Sequence, residues 1–471
     1  MQELREAGNG AARKRLLRPL ALIVVAGLVA AACGGGRDDD KADDTSVTTA
    51  AGGSTTTGTG EAPTGEPIID ASNCPSDPTT GIDGDTIKLG TSLPQSGLYS
   101  AFAEILKGEE AYFSYLNEEL GGVDVAGTKY KIKLVNKDDE YLADKTVANV
   151  NSLINDDKVF ALFNVIGTKN NLAIRDLVNE QCVPNLFAGT GSPAWGNTDY
   201  PFVLGSELVP YPLEMKAFAD HLAETKPGAT VAILRASDDF GRAYSDTFES
   251  LAADAGLEVV KEETYNPEQF DTKSQVTSLA ATDADALILG TTLLACPDAL
   301  KNVDAAGWKP IIYMSGTCTS KTLMDMAGPP GDGVLSVGPL MDPANPMYAD
   351  HEAMKLFKEM IAKYQPEADP TNGIVAYGWT TGALMAELLQ RSPAADRIAV
   401  METARTMSTI EGIGLMLDGQ VHNLSADDWF LGETFHLVQY STADGYFSPI
   451  GELINEDGNT ASYTPDDLLN G

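Results

Sequence analysis

From about residue 85 onward, short apolar runs alternate with longer amphipathic stretches, and this alternation limits the folds available to the chain. The first cycle is TIKLGTSLP, which begins at Thr86, followed by AFAEILKGEEAYFSYLNEE with apolar side chains at helical spacing. Parallel strands joined by crossover helices give such a pattern, because buried strands appear as short apolar runs. The repeated cycles therefore predict an α/β fold built on parallel sheets.

A second set of cycles begins near ATVAILRAS and continues through DALILG and KPIIYMSG. The roughly 400 residues of this region exceed one ordinary domain and fit two. Near the C-terminus, HLVQYSTADGYFSPIGEL alternates in the manner of a hairpin. We therefore expect two doubly wound, Rossmann-like α/β lobes, with function in the loops at the carboxyl ends of their strands.

The N-terminus has the features of a secretory signal that ends at a lipoprotein cleavage site. Residues 1–32 join a basic stretch to an apolar run of about 13 residues, which is shorter than the roughly 20 that span a bilayer. Small residues precede Cys33, which would become the lipidated N-terminus; a plain secreted protein and an uncleaved anchor are the alternatives. Residues 33–84 begin with a Gly, Ser and Thr-rich stretch that predicts a flexible tether. We expect a protein held by lipid on the outer side of the cell membrane.

The overall charge narrows the range of partners. The chain has 32 Lys and Arg residues against 68 Asp and Glu residues, a formal net charge of −36 at pH 7. So acidic a protein is repelled by nucleic acid and by anionic lipid surfaces. We interpret the acidity as an aid to solubility outside the cell.

Four cysteines follow Cys33, and an even number in a secreted chain predicts two disulfides. Cys296 and Cys318 each come just after a strand-like run, and consecutive parallel strands usually lie side by side. We therefore pair Cys296 with Cys318 and, by elimination, Cys74 with Cys182. The chain has no Cys-x-x-Cys and its histidines are scattered, so we expect neither a metal nor any other cofactor.

Several sequence pieces, in their order and spacing, resemble one known family. They are IKLGTSLPQSG, KGEEAYFSYLNEELGGV, VPNLF followed by GTGSPAW, ASDDFGRAY, and AGWKPIIYMSG. Together they resemble the type I periplasmic binding proteins of the leucine/isoleucine/valine-binding group, over the region from Asp85 to about Leu453. The resemblance implies two lobes joined by three crossovers that close around one small ligand. It also implies a monomer whose closed form is recognised by an ABC permease with two ATPases.

The same resemblance implies that each lobe is assembled from two separate segments. The N-terminal lobe would contain residues 85–205 and the return segment 338–432. The C-terminal lobe would contain residues 206–337 and the final segment 433–471.

Ligand contacts in such proteins lie on the loops that follow the strands. Carried over to this sequence, the resemblance assigns them to Ser96, Phe102, Thr168, Gly189, Thr190, Gly191, Ser192, Phe240, Thr291, Thr292 and Thr317. Thr168 would hold a ligand carboxylate at a helix N-terminus, where free N–H groups and the helix dipole favour an anion. Ordinary helix capping is the alternative role for Thr168 and Ser192. Phe240 stands where many relatives have a tyrosine that stacks on the ligand, and Phe102 either lines the cleft mouth or is a buried ring.

One departure from the family pattern concerns the ligand's charge. Amino-acid binders of the family hold the ligand ammonium with an acidic residue where this chain has Thr317, and Thr291 and Thr292 do not replace it. A buried ammonium without a partner costs several kcal/mol, although a small slip in register would bring in Asp298 or Asp325. We therefore expect a small carboxylate, amide or aromatic acid in preference to a branched-chain amino acid.

Two other classes of function compete with solute binding for transport. The same fold serves as the receptor part of signalling systems, so a ligand sensor is the main alternative. A secreted enzyme is the third, but the sequence contains no G-x-S-x-G, H-E-x-x-H, Walker or dinucleotide-binding motif. We expect a binding protein without catalytic activity.

Overall fold

The computed structural model describes residues 67–471, which lie in one compact unit. The expected signal sequence and Cys33 lie outside the described residues. Within residues 67–471, no helix combines the length and the apolar character that crossing a membrane requires.

The first of two seven-stranded sheets uses strands from the first part of the chain. They are β1 (Ile82–Asp83), β2 (Thr86–Leu93), β3 (Val123–Val125), β4 (Thr128–Asp138), β5 (Ala161–Phe163), β6 (Asn185–Ala188) and β7 (Val203–Gly205). Their order is β3-β4-β2-β5-β6-β7, with β1 paired to β2. Strands β4, β2, β5, β6 and β7 are parallel, and the short β1 and β3 pair antiparallel with their neighbours.

The second sheet has the same number of strands and a different edge. Its strands are β8 (Thr230–Ala236), β9 (Glu258–Tyr265), β10 (Ala286–Gly290), β11 (Ile311–Met314), β12 (Leu335–Gly338), β13 (Thr434–Ser441) and β14 (Tyr446–Asn455). The order is β14-β13-β12-β11-β10-β8-β9. Strands β8 to β12 are parallel, whereas β13 and β14 form an antiparallel hairpin at the edge, as the alternating sequence predicted.

The helices are α1 (Ala103–Glu118), α2 (Ala143–Asn155), α3 (Thr168–Glu180), α4 (Tyr211–Thr225), α5 (Asp239–Ala252), α6 (Lys273–Ala280), α7 (Ala295–Ala305), α8 (Lys321–Ala327), α9 (Glu352–Tyr364), α10 (Gly373–Arg391), α11 (Arg397–Thr406) and α12 (Asp466–Asn470). Helices α1 to α3 connect strands of the first sheet, and α4 to α8 accompany the second. Helices α9 and α10 pack on α1, so they belong to the first lobe.

The chain crosses between the lobes three times: from β7 to α4, from β12 to α9 and from α11 to β13. Two mostly parallel sheets, each with its own helices and joined by three crossovers, form the predicted two-lobed fold. The fold expectation is therefore confirmed.

Close contact between α1 and α10 joins the two segments of the N-terminal lobe. A Cβ atom on Gly108 would lie 2.1 Å from the carbonyl oxygen of Val375, and one on Gly378 would lie 2.0 Å from that of Ile105. Such distances are far inside van der Waals contact, so only glycine permits this approach. The return segment is thus locked to the first by backbone contact.

Both predicted disulfides are present. Cys74 is bonded to Cys182, and Cys296 is bonded to Cys318. The first ties the segment before β1 to the end of α3, and the second joins the start of α7 to the loop after β11.

Candidate ligand-binding cleft

A cavity of about 130 Å³ lies between the two lobes. The first lobe supplies Phe102, Ile105 and Ile374, the second supplies Val337 and Val438, and residues of two crossovers complete the wall, among them Leu208 and Met341. Most of the lining is apolar, as is usual for a small-molecule site. The cavity therefore has the position and the character of a ligand pocket.

Tyr211, the first residue of α4, covers the hydroxyl pair that the sequence assigned to the ligand. Oγ1 of Thr168 and Oγ1 of Thr190 share a hydrogen bond of 2.7 Å, and the Tyr211 hydroxyl lies 3.1 Å from Oγ1 of Thr190. All three side chains are buried. The hydrogen bonds of the hydroxyl pair are thus made within the protein.

The ring of Tyr211 also fills the space in front of Phe240. The two rings meet edge to face with centroids 5.2 Å apart, and the ring of Tyr244 lies 4.8 Å from that of Tyr211. On the other side, a Cβ atom on Gly191 would lie 2.9 Å from Tyr211 ring atoms, so glycine allows the ring to pack there. The space between Gly191 and Phe240 is therefore occupied by the side chain of Tyr211 and not by a ligand.

The capping alternative holds for one of the two hydroxyl residues. Ser192 Oγ accepts a hydrogen bond of 3.3 Å from the Ala194 N–H and caps a short 3₁₀ helix at Pro193–Gly196. Helix α3 instead has Gly167 at its N-cap, with a positive φ of 102°, and no side chain caps it. The capping alternative is therefore wrong for Thr168, because Thr168 is already the first helical residue.

The remaining predicted residues divide between the cavity wall and other places. Phe102, Gly189 and Thr317 border the cavity. Ser96 is exposed and donates its hydroxyl hydrogen to Asp138, away from the cavity wall. Thr291 and Thr292 are buried beside the second disulfide, where the Thr291 hydroxyl lies 3.2 Å from Sγ of Cys296.

The most informative cavity residue was missed by the sequence reasoning. Glu214 on α4 is 2% exposed and borders the cavity. Its Oε2 accepts hydrogen bonds from the hydroxyls of Tyr244 (3.0 Å) and Tyr313 (2.7 Å) and from the Gly316 N–H (3.0 Å). The premise that the Thr317 loop has no acidic neighbour is therefore corrected, since α4 brings a carboxyl group against the residue next to Thr317.

A helical signal for this residue exists in the sequence. Glu214 lies three residues after Tyr211 and four before Phe218, so all three side chains share one face of α4. An acidic residue between two aromatic residues on the apolar face of a helix is unusual and indicates a buried, hydrogen-bonded carboxyl group.

Burial sets the protonation of this carboxyl group. Burial raises the pKa of Glu214 to about 7, although the hydrogen bonds from Gly316, Tyr313 and Tyr244 act in the opposite direction. Desolvation outweighs the donors because no Lys or Arg among the described residues forms an ion pair with Glu214. A small change in the cavity would therefore alter its charge near neutral pH.

Other carboxyl groups are buried close to the cleft. Burial likewise raises the pKa of Glu207 to about 7, and its Oε1 accepts a 2.7 Å hydrogen bond from Thr381. Glu109 accepts from Nδ2 of Asn164 at 2.6 Å, and Oδ1 of that amide accepts from the Tyr377 hydroxyl at 2.9 Å. Glu109, Asn164 and Tyr377 thus join α1 and α10 to the loop after β5, and Glu207 joins α10 to the first crossover.

One group of carboxylates is close enough to share a cation. Oxygen atoms of Asp428, Glu433 and Asp457 lie within 4.8 Å of one another. Glu433 already accepts hydrogen bonds from the Gly458 and Thr460 N–H groups, at 2.7 and 3.1 Å. Through these hydrogen bonds Glu433 stabilises the turn after β14, and we assign no metal to the group.

Comparison with known proteins agrees with this architecture. A family model described as periplasmic binding protein matches residues 86–443. The solved ABC transporter substrate-binding protein of Aeropyrum pernix aligns with a TM-score of 0.71 and 16% identity, covering 82% of this chain and 99% of that chain.

Two further solved structures are similar at low sequence identity. A branched-chain amino acid ABC transporter protein from Thermus thermophilus with bound valine has a TM-score of 0.70 and 18% identity, covering 79% of this chain and 96% of its own. A fatty acid ABC transporter substrate-binding protein from Thermomonospora curvata has a TM-score of 0.69 and 19% identity, covering 82% of this chain and 96% of that chain. These likenesses concern the fold, whereas the family match spans most of the sequence. The chain belongs to the periplasmic binding protein family and has the two-lobed type I fold of its leucine/isoleucine/valine-binding members.

Proposed function

We propose that the protein is the extracytoplasmic solute-binding component of an ABC importer, which captures one small molecule between its lobes and delivers it to the permease. The observation that carries this proposal is the cavity whose wall combines residues of both lobes and of the crossovers. A ligand in such a position contacts both lobes at once, so it favours the closed form over an open one.

Direct contacts between the lobes support a closing motion. The Tyr99 hydroxyl of the first lobe donates a 2.8 Å hydrogen bond to the carbonyl oxygen of Pro267 in the second. The contact between Thr190 and Tyr211 also joins the lobes. These few polar contacts are modest in free energy, about 1 kcal/mol each, so a bound ligand can shift the balance between open and closed forms.

The ligand we propose is compact and mainly apolar. A cavity of about 130 Å³ is close to the roughly 150 Å³ cavity that holds benzene in an engineered protein. The Thermus relative was solved with valine and the Thermomonospora relative belongs to a fatty acid transporter, so apolar ligands suit this fold. Branched-chain amino acids, small carboxylates, amides and aromatic acids are therefore the first compounds to test.

Delivery to a permease requires that the protein stay near the membrane. We propose that lipidation of Cys33 supplies this attachment, with the following Gly, Ser and Thr-rich residues as a tether. Expression of the full chain with Cys33→Ala should release the protein from the membrane fraction. Equal membrane retention of both forms would contradict the lipid attachment.

The binding function is tested by screening residues 67–471 with these compounds. A ligand of the native state raises the melting temperature by mass action, and lobe closure reduces the radius of gyration measured by small-angle X-ray scattering. We expect at least one small solute to do both. Stabilisation without compaction would argue against capture by closure, and the absence of any stabilising solute would argue against the function.

A further inference from the structure

Glu214 has one oxygen atom held by the protein and one that is not. The three donors described above, from Tyr244, Tyr313 and Gly316, all reach Oε2. Among residues 67–471, no donor makes a hydrogen bond to Oε1, which lies 2.9 Å from the position that a Cβ on Gly316 would take. Because Glu214 and Gly316 both border the cavity, this unpaired oxygen is available to whatever occupies it.

The charges of the cavity wall favour one kind of occupant. Glu214 and Asp342 both line the cavity, and no Lys or Arg is among its lining residues. The Asp342 carboxylate already accepts hydrogen bonds from the Ala344 and Phe447 N–H groups, at 2.9 and 3.1 Å. His436 also lines the cavity, but burial lowers the pKa of its imidazole, so the ring is neutral at pH 8. A buried anion would therefore find no cation here, whereas a nitrogen donor would find Oε1 of Glu214.

The same wall disfavours a ligand that carries a positive and a negative charge together. The carboxylate of an α-amino acid needs its own donors, and the hydroxyls of Thr168 and Thr190 are bonded to each other and covered by Tyr211. The cavity thus offers a carboxylate oxygen to one nitrogen, whereas an accompanying carboxylate would find only neutral groups such as the His436 ring.

We propose that the cavity binds a small amine, whose nitrogen donates a hydrogen bond to Oε1 of Glu214 and whose apolar body, about the size of benzene, fills the space between Phe102, Ile374 and Val438. The proposal rests on the proposed function, since it takes the cavity between the lobes as the solute site. It names the ligand class and assigns the residue that selects it.

Matched pairs of compounds test the charge preference on the unaltered protein. The pairs are benzylamine and benzoate, cyclohexylamine and cyclohexanecarboxylate, and 3-methylbutylamine and 4-methylpentanoate, titrated at pH 8 by calorimetry. We expect an amine of at least one pair to bind about tenfold or more tightly than its acid, as a charged hydrogen bond to a buried group provides. Tighter binding of the acids, or no binding by any amine, would overturn the proposal.

Two variants assign the preference to one side chain. Glu214→Gln keeps the shape and removes the charge, and it should weaken amine binding about tenfold or more while leaving the weak binding of acids unchanged or improved. The matched control is Glu207→Gln, a buried carboxyl group that does not line the cavity, and its amine affinity should stay within about twofold. Equal losses in both variants would contradict the role of Glu214.

The two proposals fail in different ways. If a carboxylate or an amino acid binds with compaction of the lobes and Glu214→Gln has no effect, solute capture stands and the amine inference falls. If no compound of any class changes the melting temperature or the radius of gyration, the solute-binding function falls as well.

Discussion

The Tyr211 hydroxyl lies 3.1 Å from Oγ1 of Thr190, so a side chain from the start of the second lobe covers a polar pair of the first. This contact separates the hydroxyls of Thr168 and Thr190 from the open space in the cleft. That space borders Gly189 and Thr317 of the assigned loops, together with Glu214 and the crossovers. Ligand selection is therefore expected to depend on α4, whose first turn carries both Tyr211 and Glu214.

Replacing Tyr211 by alanine should reopen the site at the hydroxyl pair. Removing the ring exposes Thr168 and Thr190 at the N-terminus of α3, where donors favour a carboxylate. We expect the variant to bind leucine, with its carboxylate at the two threonines, more tightly than the unaltered protein does. Calorimetric titration with leucine measures the gain, and the lost packing lowers stability by about 3–5 kcal/mol.

The control for this experiment is Tyr211→Phe. It keeps the ring that fills the space and loses only the hydrogen bond to Thr190, so it should cost about 1 kcal/mol of stability and gain no affinity for leucine. A folded alanine variant, as judged by circular dichroism, that shows no gain would mean that Tyr211 does not exclude amino acids.

Much of the fold was predictable because its signals are local. Parallel strands buried on both faces produce the apolar runs of β5, β6 and β10, in which every residue is buried. The edge hairpin β13–β14 produces alternation, since one of its faces is more exposed. Helix α11 was not predicted, because it is only ten residues long and buries Arg397 and Arg405 beside its apolar residues, which obscures the apolar face in the sequence.

The ligand site was less predictable because it depends on side chains from distant parts of the chain. Phe102, Gly189 and Thr317 were found by family position, and they do border the cavity. The local pattern of α4 indicates that Glu214 is buried, but the groups that Tyr211 and Glu214 meet depend on how α4 enters the second lobe after the first crossover. The contact of Glu214 with Gly316 joins residues 102 positions apart.

The stability of the ligand-free protein should depend on pH through Glu214. Its folded pKa of about 7 is above the ordinary value of 4.5, so the native state holds this proton more tightly than the unfolded state does. The stabilisation of the folded state that comes from the protonated Glu214 is therefore fully present below pH 4.5, and it is lost as the pH rises through about 7. As the pH rises from 5 to 8, the free energy of unfolding of Glu214→Gln should increase by roughly 2–3 kcal/mol relative to that of the unaltered protein.

Urea unfolding at several pH values measures this difference directly. Other titrating groups affect the unaltered protein and Glu214→Gln equally, so their effects cancel in the difference. His422 is one such group, since burial lowers its pKa to about 4. The tyrosines around Glu214 stay neutral in this range, since burial raises the pKa of Tyr244 and Tyr313 further above 10. The exposed Glu258 provides the control Glu258→Gln, and a parallel pH profile for Glu214→Gln and this control would contradict the assignment.

The two disulfides should differ in their contribution to stability. Cys74 and Cys182 are 108 residues apart, and Cys296 and Cys318 are 22 apart. In the chain-entropy model, the longer loop constrains the unfolded state more, by roughly 5 kcal/mol against roughly 3 kcal/mol. Denaturant unfolding of the Cys74→Ser, Cys182→Ser double variant should therefore show the larger loss, and the opposite order would contradict the entropic account.

The last helix connects the two lobes outside the cavity. On the first lobe, Nη2 of Arg175 donates a 2.9 Å hydrogen bond to the carbonyl oxygen of Asn470, and on the second, Arg242 forms an ion pair of 2.6 Å with Asp467. Leu468 between them is buried. Helix α12 therefore contacts both lobes in this structure.

Removal of residues 465–471 should favour the open form. Loss of the buried Leu468 and of the contact with Arg175 is expected to cost about 2 kcal/mol, and part of this cost falls only on the closed form, so ligand affinity should decrease as well. The control Asp467→Asn removes only an ion pair whose aspartate is largely exposed, which contributes little. Small-angle X-ray scattering of the ligand-free protein should give a larger radius of gyration for the truncated protein than for Asp467→Asn. Equal radii, with ligand affinity unchanged by truncation, would mean that α12 stabilises the fold without influencing closure.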